Sequence, residues 1–192
     1  MEKILKKVRD NDKHKYNIVQ VGRLEKIKGQ HLLIKAAKKL VNCGITNFSI
    51  DIIGHGSQYE SLLEMIKENH LEENVHLLGL KDREYVYSHL CNYDLLVQPS
   101  LSEGFGLSIA EGIAAGISVL TSDLDGPMQV INYGKCGEYF KSGDIDDLEK
   151  KLEMFIMGKT QDKSKEATMF IKENFSIKNT ANKYLSIYNS LK

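Results

Sequence analysis

The chain has 192 residues with 42% hydrophobic side chains, enough for one core of ordinary domain size without disulfide staples. Its 26 basic and 26 acidic residues cancel to a formal net charge of +0, so no global field draws it to nucleic acid or an anionic membrane, and any bound anion has to be gripped locally. Three widely spaced cysteines, Cys43, Cys91 and Cys136, form no close ligand pair and read as reduced thiols of a cytosolic protein.

Lysine-rich residues 1–16 read as a linker or surface helix, because Ile4, Leu5 and Val8 make too small an apolar face for a membrane segment. No run approaches the roughly 20 apolar residues that span a bilayer. Residues 17–192 read as one domain. Short β-rich runs, "YNIVQV" (16–21), "FSIDII" (48–53), "NVHLLG" (74–79), "DLLVQP" (94–99), "ISVLTS" (117–122) and "GEYF" (137–140), alternate with helical patterns over 29–41, 57–70, 82–92 and from about 107, then a short turn near Met128. This order predicts an α/β fold: a doubly wound, Rossmann-like, mostly parallel sheet of six strands covered on both faces. From about 144 to 192 the pattern is helical only. Its last segment carries an apolar stripe of Phe175, Ile177, Tyr184, Leu185, Tyr188 and Leu191, which has to pack on something.

Ligands of open parallel sheets sit beyond the carboxyl ends of the strands, where helix N-termini also point. The loop after the first strand, "GRLEKIKGQ", holds Gly22, Arg23, Lys28 and Gly29. An arginine fork and a lysine point charge there suit a diphosphate. The second loop, "IGHGSQ", sets Gly54 and Gly56 around His55, with Ser57 as a natural cap for the next helix. It lacks the third glycine of a dinucleotide fingerprint, and a tight turn or a phosphate or sugar contact both explain it. In the third loop, "GLKDRE", the backbone of Leu80 can face a flat base, or Asp82 can simply cap a turn.

The fourth loop opens the stretch "SEGFGLSIAEGIAAG" (102–116). Gly104 and Gly106 let backbone approach a ligand, and the helix that starts near Gly106 or Leu107 offers unpaired N–H groups to an anion. Glu103 stands ahead of that helix end, and Glu111 lies just over one turn inside it. Gly112, Ala114, Ala115 and Gly116 are expected to let the helix lie close to the sheet, so that Glu111 faces an interior crevice and needs partners there. Two carboxylates first suggest the acid and base of a glycoside hydrolase, but their place beside a phosphate-type helix end assigns them to hydrogen bonding along an extended ligand. Asp144 and Asp146 invite a metal reading, but after Gly143 and at the head of a periodic helix they read as caps, and no metal site is expected. No nucleophile triad and no basic and aromatic interleaving for nucleic acid stands out.

Taken together, "VGRLEKIKGQHLLIKAA", "DIIGHGSQYESL", "NVHLLGLKDREYVYSHLCNYDLLVQPSLSEGFGLSIAEGIAAGISVLTSD" and "GKCGEYFKSGDIDDL" resemble the C-terminal, donor-binding half of a GT-B glycosyltransferase of the retaining family 4 type, from about Asn17 to Leu152. The specific part is the pair of glutamates with seven residues between them, around an internal G-F-G. The resemblance implies transfer of a hexosyl group from a nucleoside-diphosphate sugar, UDP-sugars slightly favoured, to a polysaccharide or glycolipid, with no metal or other cofactor. It implies that Arg23 and Lys28 bind the diphosphate and stabilise the leaving group, and that Glu103 holds the sugar. Glu111 would take the ribose hydroxyls. Gly22, Gly54, His55, Gly56, Leu80, Gly104, Phe105, Gly106 and Leu107 would line the donor. Many relatives carry a glutamate where Gln129 stands, which removes one contact. The N-terminal acceptor domain of such enzymes has no counterpart in this sequence, so the resemblance implies a longer protein or a separate partner chain, cytoplasmic, with peripheral membrane contact made through the full-length enzyme. The competing reading is a non-catalytic nucleotide-sugar or partner-binding module, which would not need Glu103. A dinucleotide oxidoreductase is set aside for want of the first-strand fingerprint.

Overall fold

In the computed structural model, which describes residues 15–190, six strands form one sheet in the order β3-β2-β1-β4-β5-β6. They are β1 (Tyr16–Val21), β2 (Phe48–Ile53), β3 (Val75–Gly79), β4 (Leu95–Gln98), β5 (Ser118–Ser122) and β6 (Glu138–Phe140). Every neighbouring pair is parallel. The helices are α1 (Gln30–Asn42), α2 (Tyr59–Glu68), α3 (Arg83–His89), α4 (Leu107–Ala114), α5 (Asp125–Val130), α6 (Ile145–Ile156), α7 (Ser164–Phe175) and α8 (Ile177–Ser190). The expected doubly wound α/β sheet is therefore present, with strand ends within a residue or so of the sequence reading. The turn expected near Met128 is instead the short helix α5, and the 82–92 helix ends early in a 3₁₀ turn at Leu90–Asn92. Of the expected linker, Tyr16 is the first residue of β1, and residues 1–14 lie outside the described residues.

The strands read as apolar runs because both their faces are covered. On one face Ile18, Ile50, Ile52 and Val97 pack against Leu33, Ala37 and Leu40 of α1, Leu62 and Ile66 of α2, and Leu148 and Leu152 of α6. On the other, Val19, Leu96 and Val119 meet Val86 of α3, Ile109 and Ile113 of α4, and Ala167 and Ile171 of α7. A Cβ added at Gly112 would lie 3.0 Å from Leu96 Cδ1, so this glycine does let α4 sit close to β4. Ala114 and Gly116, expected on the same face, are exposed. Gly116 instead supplies the left-handed turn, at φ 80°, that ends the helix.

The acidic run at the head of α6 is structural. Asp144 Oδ1 accepts from the backbone N–H groups of Asp146 and Asp147, both at 3.1 Å. Asp146 pairs with Lys39, and Asp147 accepts from Lys141 N at 2.8 Å. Losing such a cap costs about 1 kcal/mol, so Asp144→Ala is expected to lower Tm by roughly 2–4 °C in a domain of this size. Addition of EDTA to the wild-type chain should leave Tm in place; a chelator-induced drop matching the substitution would overturn the cap assignment.

Beyond α7 the chain runs into α8, where Ile177 is 90% exposed and Tyr184, Leu185 and Tyr188 are all exposed. The expected stripe thus splits: Phe175 is packed, Ile177, Tyr184, Leu185 and Tyr188 face solvent, and Leu191 is outside the described residues. Among the described residues no helix is long and apolar enough to cross a membrane.

Candidate functional site

Chain order reverses between β1 and β4, because β2 and β3 are added on one side of β1 while β4 to β6 are added on the other. Crossover connections diverge at such a point and leave a crevice at the carboxyl ends of the two strands. The loops that follow β1 and β4 border it. An opening of about 960 Å³, bounded by Asn17, Asp94, Ser118 and Gln161, lies at the amino ends of the strands and is remote from these loops.

The β1 and β4 loops are laced together. Leu101 N donates to Ile27 O at 2.7 Å, and Gly29, at φ 71°, abuts Pro99 so closely that a Cβ there would stand 1.8 Å from the Pro99 carbonyl oxygen. This close approach brings Lys28 to Glu103, 75 residues later, with Nζ 2.7 Å from Oε2. Their side chains are only 17% and 15% exposed. The sequence reading gives each residue a ligand-facing task but not this contact. The sequence carries opposite charges at the exits of two strands, but only the sheet order makes those strands neighbours.

Arg23 is exposed on the β1 loop, and its carbonyl is held by Gln30 Nε2 at 2.9 Å. Its charge, together with stronger hydrogen bonds from Ser57, holds the neighbouring Glu25 carboxyl below its usual value. Ser57 does not cap α2 as expected. Its hydroxyl donates to Glu25 at 2.8 Å, and α2 begins without a side-chain cap.

Gly54 and Gly56 answer to protein backbone. A Cβ at Gly54 would stand 1.9 Å from Gly22 O, and one at Gly56 2.4 Å from Leu24 O. His55 O accepts from Leu24 N at 3.0 Å, while the His55 side chain is exposed. The second loop therefore buttresses Gly22 and Leu24 of the first. Leu80 is 77% exposed at the end of β3, and Asp82 caps α3 by accepting from Tyr85 N at 2.7 Å.

Beneath the crevice lies a polar layer that the sequence reading overlooks. Gln20 and Gln98, the last or next-to-last residues of two buried strands, are almost fully buried, as are Gln30 and Ser100. Gln98 donates to Ser100 Oγ at 2.9 Å and accepts from Ser108 Oγ at 3.1 Å. Ser108 belongs to the first turn of α4, so this layer ties the floor of the sheet to the start of that helix. Gln20 Nε2 has no hydrogen-bond partner among the described residues and lies under Gly22.

The β4 loop passes Gly104, Phe105 and Gly106 before α4. Gly106, at φ 92°, is the N-cap, and no side chain caps the helix. Its first N–H groups thus remain directed at the crevice, where they favour an anion. Gly126 of α5 supports the loop from below, since a Cβ there would stand 2.2 Å from Gly104 O. The Phe105 ring meets Phe175 edge-on at 5.3 Å, and Phe170 lies behind it at 5.8 Å. Leu107 is exposed.

Glu111 does not face the interior. Ile109, Ala110, Gly112 and Ile113 take the buried side of α4, which turns Leu107, Glu111 and Ala114 toward solvent and toward α3. Glu111 Oε1 accepts from Tyr87 Oη at 3.1 Å. That hydrogen bond raises the Tyr87 phenol above its usual value, with some desolvation adding to it. The crevice thus offers cations at one end, an uncapped helix in the middle and a carboxylate in a solvent-open groove between α3 and α4. Among the described residues no cluster of histidine, cysteine and carboxylate groups could hold a metal.

Comparison with known proteins gives these features a context. The family model described as glycosyl transferases group 1 matches residues 1–174. The amylovoran biosynthesis glycosyltransferase AmsK of Erwinia amylovora is 31% identical over 153 residues, which are 77% of this chain and 37% of that protein. The N-acetylgalactosamine-N,N'-diacetylbacillosaminyl-diphospho-undecaprenol 4-alpha-N-acetylgalactosaminyltransferase of Campylobacter jejuni is 37% identical over 106 residues, 55% of this chain and 27% of that one. A mutant of Staphylococcus aureus TarM, solved with fondaparinux, an α-GlcNAc-glycerol and UDP, superimposes with a TM-score of 0.79 at 25% identity, over 91% of this chain and 36% of that chain. The chain spans at most about half the length of such relatives.

Proposed function

Since this chain belongs to the glycosyl transferases group 1 family, we propose that it is the donor-binding half of a retaining, family 4 type glycosyltransferase that moves a hexosyl group from a nucleoside-diphosphate sugar, UDP-sugars favoured, to a polysaccharide or glycolipid. The observation that carries the reading is the meeting of Lys28 and Glu103 across the reversal point, beside the uncapped start of α4. A lysine, an exposed arginine and outward N–H groups make a cradle for a diphosphate, and a carboxylate within reach of them suits the hydroxyls of the sugar attached to it.

In this mechanism the bond between the anomeric carbon and the diphosphate oxygen breaks, the new glycosidic bond forms on the same face to an acceptor hydroxyl oxygen, and the proton of that hydroxyl passes to the departing diphosphate. Arg23 and Lys28 neutralise the charge that develops on the leaving diphosphate, helped by the backbone at Phe105, Gly106 and Leu107. Glu103 exchanges its contact with Lys28 for one shared between Lys28 and the sugar, which orients the anomeric carbon. Glu111 accepts from the ribose, Leu80 offers backbone to the base, and the loops at Gly22 and at Gly54 to Gly56 close the crevice. No cofactor is invoked. The acceptor site belongs to an N-terminal half or a separate chain, and the apolar face of α8 is where that half would be covered or covering. Relatives named for amylovoran biosynthesis and for an undecaprenol-linked sugar support the acceptor class, and the UDP in TarM supports the donor base.

Calorimetric titration of this chain with UDP, GDP and ADP tests the donor half of the proposal. One of them is expected to bind, and Arg23→Ala should weaken that binding by about tenfold or more, the usual loss of a charge-assisted contact. A wild-type chain that binds none of the three would sink it.

A further inference from the structure

We propose that Tyr87 is a positioning residue for Glu111: its phenol, delivered from α3, fixes the rotation of the carboxylate so that Oε2 is presented to the ribose hydroxyls of the donor. The inference rests on the ribose role proposed for Glu111 and adds to it a residue outside the loops and outside α4.

The geometry begins with helix phase. Tyr87 lies four residues past Arg83, the first residue of α3, and Glu111 lies four residues past Leu107, the first residue of α4. Each therefore sits about one turn below the carboxyl end of the sheet. Their contact closes the side of the groove at that depth. Arg83 and Leu107, where the two helices begin, lie one turn nearer the carboxyl end, the side from which a nucleoside would enter. The phenol has a single proton, and at 3.1 Å it is given to Oε1. A carboxylate accepts through both oxygens, so Oε2 keeps its full capacity for a diol.

Both helices are anchored, which makes the contact a brace and not a chance meeting of surface groups. α3 is capped by Asp82 and buried at Val86. α4 is pressed on β4 at Gly112 and tied to α7 where Thr168 Oγ1 donates to Ile113 O at 3.0 Å. The Tyr87 ring is itself steadied by Arg83, whose guanidinium carbon lies 5.7 Å from its centroid. A glutamate on an exposed helix face otherwise samples several rotamers, and ordering it on binding weakens affinity. Prior ordering by a two-torsion aromatic removes part of that loss.

The test is a ligand-deletion cycle with UDP and 2′,3′-dideoxy-UDP, or the corresponding GDP or ADP pair if that base binds more tightly. Tyr87→Phe keeps the ring and removes only the hydroxyl. It is expected to weaken UDP binding about 3- to 10-fold, the range for one partly exposed hydrogen bond, and to leave dideoxy binding at the wild-type value, with Tm unchanged. Glu111→Ala should weaken UDP more strongly and likewise spare the dideoxy ligand. If Glu111→Ala behaves so while Tyr87→Phe binds UDP as well as wild type or better, the positioning role falls and the ribose role stands. If Glu111→Ala affects both ligands equally, or neither, or if no nucleotide of either kind binds, the ribose reading fails and takes the Tyr87 proposal with it.

Discussion

Lys28→Ala is expected to lower kcat/KM for sugar transfer, measured in the complete protein or with the acceptor half supplied, by about two to three orders of magnitude, the range seen when a preorganised charge facing a leaving group is removed. Two losses combine. The diphosphate forfeits a cation at the moment its charge develops, and Glu103 is left in a mostly buried position without its ammonium partner. A carboxylate stranded in that way loses the partner that holds it in place, and with it the orientation in which it meets a sugar. The stranding also destabilises the fold, by roughly 1–3 kcal/mol for a pair that is not fully buried. Adding Glu103→Gln to Lys28→Ala should recover much of the lost Tm, because a neutral amide needs no counter-ion, yet recover none of the activity. Transfer at the wild-type rate by Lys28→Ala would remove the lysine from the mechanism, and a double variant no more stable than the single one would show that the pair does not matter to the fold.

The second large effect is expected at Gly126, a residue with no polar group at all. Its missing side chain is occupied by the backbone of the β4 loop: an added Cβ would stand 2.2 Å from Gly104 O, 2.5 Å from Gly104 C and 2.9 Å from Phe105 N. None of those atoms is the free end of a side chain, so Gly126→Ala must push the loop outward. Overpacking of this sort costs typically about 1–3 kcal/mol, and a shift of about 1 Å in a positioning loop can cost roughly a hundredfold in rate. Gly104 provides the contrast, since a Cβ there meets nothing within 4 Å and its φ is not positive. Gly104→Ala is expected to leave Tm unchanged and to weaken nucleoside-diphosphate binding only, by filling space the ligand needs. Gly126→Ala should lower both. If Gly104→Ala binds like wild type, the space above Gly104 is not where the donor lies.

The alternation of strands and helices was legible because strands buried on both faces leave continuous apolar runs, and the doubly wound order followed from it. The loops that carry Arg23, Lys28 and Glu103 were legible too, since each follows a strand directly. Their mutual contact was not. It depends on β1 and β4 being neighbours, and strand order in a parallel sheet is not written in local pattern. Helix phase explains the misplaced Glu111: a run of small apolar residues hides which side is buried, and Ile109, Gly112 and Ile113 took the sheet. Ser57 looks like a cap in sequence, but Glu25 from another loop offered its hydroxyl a charged acceptor. Gln20 and Gln98 went unnoticed because a single polar residue at the end of an apolar run looks like the start of a loop, whereas here both lie inside the ladder.

The edge-on contact between Phe105 and Phe175 changes where this unit can be said to end. The sheet is complete at Phe140, α6 and α7 then cover its two faces, and the last fully core residue is Ile171, so by core packing alone the polypeptide could be trimmed just after it. Yet the only aromatic side chain in the segment from Glu103 to Gly106 rests on Phe175, the last residue of α7, two residues before the start of α8. A shortened polypeptide that runs through Ile171 but stops before Phe175 would retain these core residues and lose the prop beside the β4 loop. The smallest excisable piece that keeps this loop supported is therefore defined by an aromatic ring in the helical tail and not by the outermost strand.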